Sequence, residues 1–141
     1  MESSTITRTV LNVNGAIKVI LAAISAGQKA GVEVSVAVCG PSMELIAFAR
    51  ADNATPHSAE TSKRKAQTSA STRRATGWMP QGLSVELPLA SGNLLTNIKG
   101  GMPIFFDTCF VGAVGVAGGT VEQDASIATE VLQAIGATIS S

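Results

Sequence analysis

The stretch from residue 100 to 123 leaves this chain few ways to fold. Ile104-Phe105-Phe106 and Phe110-Val111-Gly112-Ala113-Val114-Gly115-Val116 are apolar runs separated by Asp107-Thr108-Cys109, a pattern that predicts a β-hairpin. Gly112 and Gly115 stand three apart, so they face opposite sides of their strand and mark two places where another backbone or a ligand can come close. Gly118-Gly119 then leads into Thr120, which pairs with Gln123 as a capping box. The helix it opens carries Ile127, Val131, Leu132 and Ile135 on one face and ends at Gly136.

The first half of the chain repeats the order of hairpin then helix and adds a helix in front. Ile17, Ile20, Leu21 and Ile24 form a helical stripe over residues 14–30, with Asn14 in the capping position and Gly31 at the end. Val32–Val38 and Glu44–Arg50 read as strands joined through Cys39-Gly40-Pro41-Ser42-Met43. Thr55 as cap and Pro56 at the first helical position start a second helix that runs to about Ala75. Its apolar stripe consists of Ala59, Ala66 and Ala70, bordered by Lys63, so it can lie close to a sheet or a neighbouring subunit. Residues 77–99, interrupted by Trp78, Pro80, Gly82, Pro88 and Gly92, read as a long loop able to cover a pocket, with Leu83–Leu87 alternating like an edge strand. The sum is an α+β arrangement, expected as a single domain over residues 1–141.

Composition narrows the function. Of 141 residues, 45% are hydrophobic and 14% charged, which requires a buried core and argues against disorder. Ten basic and ten acidic residues cancel, and aromatic residues are 4% with no Tyr, so neither nucleic acid nor an anionic membrane is expected as partner. Low charge with 14 glycines points to a homo-oligomer. Cys39 and Cys109 lack metal spacing and are expected reduced. The start Met1-Glu2-Ser3-Ser4-Thr5 has an acid where a signal peptide needs basic residues, and the apolar run Val19–Ala23 is short of the about 18 to 20 residues of a membrane span, so the chain reads as cytoplasmic.

Gly101-Met102-Pro103-Ile104, Val111–Gly119 and Glu122-Gln123-Asp124 resemble the GlcG/HbpS-like haem-binding family, which includes the C-terminal domain of PduO-type proteins. Val36-Ala37-Val38, Leu45–Arg50 and Lys65–Ala70 extend the resemblance over nearly the whole chain. It implies a profilin-like two-layer domain with an antiparallel sheet of about five strands, assembled into dimers and octamers, with haem as a ligand. The chain departs from the family at two turns. Asp107-Thr108-Cys109 replaces a common Asp-Gly, which predicts a longer or differently twisted turn, and Cys39-Gly40-Pro41 stands where members often carry Asp.

His57, the single histidine, begins the second helix, and Glu60 and Arg64 share its face. One reading makes His57 a general acid/base or a haem axial ligand, its only metal role, with Glu60 orienting it and Arg64 holding an anionic group. The other makes it a solvent-facing histidine. Arg50 ends an apolar strand and is expected to point to the same mouth, while Lys65, with Lys63, Arg73 and Arg74, either neutralises ligand carboxylates or forms a solvated face. Gly118, Gly119 and Thr120 offer backbone donors at a helix start, either an anion site or a tight turn. Three function classes stay open. The chain binds haem or a small carboxylated or planar ligand at the start of the second helix; or it is a cofactor-free lyase or isomerase using His57 and Glu60 with Arg50 or Lys65 as carboxylate clamp; or it is a structural or sensory partner without ligand.

Overall fold

Strand β1 (Ser35–Cys39) is buried at every residue, because it lies inside the sheet and is covered on both faces. The computed structural model describes residues 3–139, so the Met1-Glu2 part of the N-terminal reading lies outside them. Its remaining elements are α1 (Val13–Lys29), β2 (Leu45–Arg50), α2 (Ser58–Thr72), α3 (Leu83–Ala90), β3 (Gly101–Phe106), β4 (Cys109–Ala117) and α4 (Val121–Ala134). The strands form one antiparallel sheet in the order β2-β1-β4-β3.

Strand alternation sends two sets of side chains to opposite faces. Val36, Val38, Val114, Val116, Met102 and Ile104 meet Val19, Ile20 and Ala23 of α1 and Ile127, Val131 and Leu132 of α4. Each such aliphatic side chain contributes about 1.5–3 kcal/mol when fully buried. Ala37, Cys39 and Ala113 face the other way, against Ala66 and Ala70 of α2. The expected α+β class therefore stands, but the expected two layers become three, with α2 on one face and α1 with α4 on the other.

The sheet has four strands rather than about five. Past α4 the chain only touches the β3 edge, where the Thr138 N–H donates to the Phe105 carbonyl at 2.8 Å as an isolated bridge. Pro103 sits on β3 because an edge strand tolerates a missing donor.

Several boundaries differ from expectation for local physical reasons. Asn12, not Asn14, caps α1, its Oδ1 accepting the Gly15 N–H at 2.8 Å. The buried face of α1 is Ala16, Val19, Ile20, Ala23 and Ala26, while Ile17 and Leu21 are 45% and 62% exposed. Of the expected stripe, Ile20 is buried and Ile24 packs against the core, so only Ile17 and Leu21 face out. At α2 the Thr55 carbonyl accepts the Ser58 N–H and hydroxyl, so Pro56 and His57 belong to the preceding turn. The helix ends at Thr72, with Arg73 left-handed at φ 57°. Ala59 is only half-buried, and Ser62, Lys65 and Ser69 share the inner face with Ala66.

The second hairpin has a two-residue loop, since Phe106 pairs with Cys109. Asp107 takes φ 55°, which Asp tolerates, so the turn is tight instead of longer. Leu83–Ala90 is a helix instead of an edge strand. Leu83/Leu87 and Val85/Leu89 fit a four-residue spacing as well as a two-residue one, and so short a run cannot separate them by period.

The closest packing involves α2 and the sheet. A Cβ at Gly115 would collide with the backbone of Ser62 and Ala66, and one at Gly101 with the Lys65 carbonyl. Gly112 meets the Cys39 carbonyl of the neighbouring strand. The two glycines of β4 thus serve approach by other backbone segments. Gly115→Ala is expected to lower stability by about 1–3 kcal/mol through overpacking, read as the midpoint of urea denaturation; an unchanged midpoint would contradict this contact.

Candidate functional site

The start of α2 and the start of α4 meet at one end of β4. The Ser58 hydroxyl sits 2.7 Å from the buried Ser35 hydroxyl, which fixes the first turn of α2 on β1. On the other side, Gly118 at φ 134° brings the chain off β4 against Glu33 and Val34. Between them lies a cleft of about 270 Å³ lined by Thr55, His57, Ser58, Lys65, Ile98, Ala117, Gly118, Gly119, Val121 and Asp124. A larger hollow of about 820 Å³ lies between α1 and α4, but it is an open groove without any of the predicted site residues.

His57, Lys65, Gly118 and Gly119 therefore converge, with Thr120 next to them as the cap of α4. His57 is exposed, and its side chain makes no capping bond; only its carbonyl is used, accepting from the N–H groups of Glu60 and Thr61 at 3.1 Å. Glu60 is exposed, and among the described residues its carboxylate makes no hydrogen bond to the His57 imidazole. Arg50 and Arg64 do not line the cleft. The Nη1 of Arg50 donates to the Ala54 carbonyl at 2.9 Å, holding the turn before α2, and that of Arg64 donates to Gln67 Oε1 at 3.1 Å. Lys63, Arg73 and Arg74 lie over the rings of Phe48, Phe110 and Trp78 at 4.8, 4.8 and 4.4 Å.

Lys65 is 1% exposed and Asp124 2%. The Lys65 ammonium donates to Asp124 Oδ2 at 3.0 Å and to the Val116 carbonyl at 2.8 Å. The Gly119 N–H donates to Asp124 Oδ1 at 2.9 Å, and the Thr120 N–H donates to Gln123 Oε1 at 2.9 Å. The Gly119 and Thr120 donors at this helix start are thus occupied from within the chain, by Asp124 and Gln123. Burial lowers the Lys65 pKa from its ordinary 10.5, and the charge and hydrogen bond of Asp124 partly restore it. Between that lowered folded value and 10.5 the unfolded chain binds more protons, so this group makes stability rise with pH in that window.

The sequence pattern marks Asp124 only as part of Glu122-Gln123-Asp124 and does not pair it with Lys65. A signal was present: Asp124 lies on the stripe of Ile127, Ala128 and Val131, and a charge on an apolar face implies a buried partner. Ile98 and Val121, the apolar walls, carried no comparable mark. Cys39 is buried and Cys109 exposed, both unbonded; burial first, then Glu44, pushes the Cys39 thiol up to about 11, which makes it inert. No helix of the described residues is long and apolar enough to cross a membrane.

The family described as haem degrading protein, HbpS-like, matches residues 11–133. Protein GlcG of Escherichia coli K12 is 36% identical over 112 residues, 79% of this chain and 84% of that protein. The Klebsiella pneumoniae protein ORFY has the same fold, with a TM-score of 0.91 at 24% identity over 99% of both chains. PduOC in its complex with haem superposes with a TM-score of 0.84 at 24% identity, over 92% of this chain and 98% of that one.

Removing one member of the Lys65–Asp124 pair strands a buried charge. Lys65→Met and Asp124→Leu are each expected to cost about 3–5 kcal/mol, and the double variant much less than their sum. A double-mutant cycle by urea denaturation measures this, and single variants as stable as wild type would contradict it.

Proposed function

The chain belongs to the HbpS-like family, and from that premise we propose that it binds haem, or a small planar carboxylated ligand, at the start of α2 with His57 as the principal contact. The observation that carries this reading is the free imidazole of the single histidine at the mouth of the α2/α4 cleft. The family description names haem, and a protein of the same fold is known in complex with it.

The donor fits haem, since imidazole is a common axial ligand and His57 spends no side-chain hydrogen bond on capping. An enclosing pocket is not part of the fit. A cleft of about 270 Å³ lies below the roughly 300–1,000 Å³ of ligand cavities, so the macrocycle would rest against the rim made by Ile98, Val121 and Thr55. Bound haem supplies the redox and ligand chemistry of its iron. The chain's own contribution is to hold the imidazole donor in place: Lys65 and Asp124 clamp the two helix starts, and their charges cancel at the floor.

The alternative of a cofactor-free lyase or isomerase would use His57 with Glu60 as acid and base. It is the weaker reading, because Glu60 does not orient His57, and Arg50 and Lys65 are engaged by Ala54 and Asp124. We place the protein in the cytoplasm as a homo-oligomer, in keeping with its low charge and exposed apolar side chains.

Hemin titration of wild type and His57→Ala, followed at the Soret band, tests the assignment. Wild type is expected to saturate and the variant to bind at least tenfold more weakly. Equal affinities would remove His57 from the site. Glu60→Gln is expected to bind like wild type, and a loss equal to that of His57→Ala would favour the acid–base pair.

A further inference from the structure

We infer that the face carrying α3 is an interface between two copies of this chain, which names the surface through which the homo-oligomer proposed above associates. Every residue from Pro80 to Lys99, twenty in a row, is at least partly exposed, and α3 buries none of its eight residues. An eight-residue helix is too short to persist on its own hydrogen bonds, and Pro88 inside it supplies no donor. Something must cover this helix.

The uncovered surface is apolar. Val85 is 61% exposed, Leu89 67%, Ile98 47% and Leu94 36%. Exposed apolar side chains gathered on one face mark interaction sites on monomers. Val85, Pro88, Leu89 and Ile98 line a groove of about 480 Å³ that a partner side chain can enter.

The occupant is a second copy, on grounds of extent and charge. A standard interface takes about 20–30 residues from each partner, and residues 80–99 supply twenty in one stretch, all at least partly exposed. Only Glu86 and Lys99 are charged within it, matching the loss of charge at interface cores and offering no field to select a partner of opposite sign. A two-fold axis sets such a surface against itself. The outer stripe of α1, Val13, Ile17 and Leu21, is also exposed, but α1 already buries Ala16, Val19, Ile20 and Ala23 and stands without a cover. Ile98 walls both the α3 groove and the His57 cleft, so the second copy sits beside the ligand site.

Sedimentation velocity of the full chain tests the surface. Wild type is expected as a dimer or a multiple of it. Val85→Asp/Leu89→Glu and, outside the helix, Leu94→Glu/Ile98→Glu are each expected to raise the dissociation constant at least tenfold, whereas Ile17→Glu/Leu21→Glu retains the dimer. A monomeric wild type would overturn both the homo-oligomer and this surface. An oligomer unmoved by either α3-face variant, or one reduced to monomer by the α1 variant alone, would overturn the surface only. Hydrogen exchange of wild type covers the case in which variants unfold: amides of residues 83–90 are expected to gain protection as concentration rises, and concentration-independent exchange would contradict the interface.

Discussion

The ion pair between Lys65 and Asp124 is the interaction on which the rest of the arrangement depends. It joins α2 on one face of the sheet to α4 on the other, around the end of β4, and takes in the Val116 carbonyl and the Gly119 N–H on the way. A buried ion pair of this kind adds little net stability over an apolar pair of equal volume. Its effect is geometric, since a buried ammonium with two fixed acceptors tolerates few other placements of the helices. The cleft beside His57 exists because these two helix starts are held apart by side chains and not packed together by apolar ones.

Close backbone approach makes that pair reachable. Gly101 and Gly115 let α2 settle onto β3 and β4 with Ala66 and Ala70 as its buried apolar contacts, so the Lys65 ammonium reaches the Val116 carbonyl and Asp124. The opposite face is filled conventionally by valine, isoleucine and leucine from β1, β4, α1 and α4. One face therefore supplies most of the burial energy, and the other supplies the position of the site. The same division separates the α3 segment, which contributes nothing to the core and is available for association.

The order of elements was legible because turn chemistry marks it: Gly118-Gly119-Thr120 with Gln123, Gly40-Pro41 and Asp107 each end one period and begin another. The inner face of α1 was legible only in part: Ile20 and Ile24 lie toward the core as expected, but Ala16, Ala23 and Ala26 fill much of that face while Ile17 and Leu21 face out. Leu83–Ala90 was illegible as a helix because its spacing suits two periods and none of its residues is buried to select one. The convergence of His57, Lys65, Gly118 and Gly119 was readable only as four separate candidates. Lys65 and Asp124 are 59 positions apart, and their meeting follows from where the sheet ends, which no local pattern encodes. The resemblance to the haem-binding family carried the family assignment, and the placement of Arg50 and Glu60 away from the cleft required the structure.

A chain with one histidine allows a direct assay of its role. Resonance Raman spectra of the ferrous haem complex, prepared with unlabelled protein and with protein carrying ¹⁵N-histidine, read the iron–imidazole stretch of that residue alone. The account predicts such a band and an isotope shift in it. A haem complex with no iron–imidazole band, or with one indifferent to the label, would contradict His57 as the axial contact.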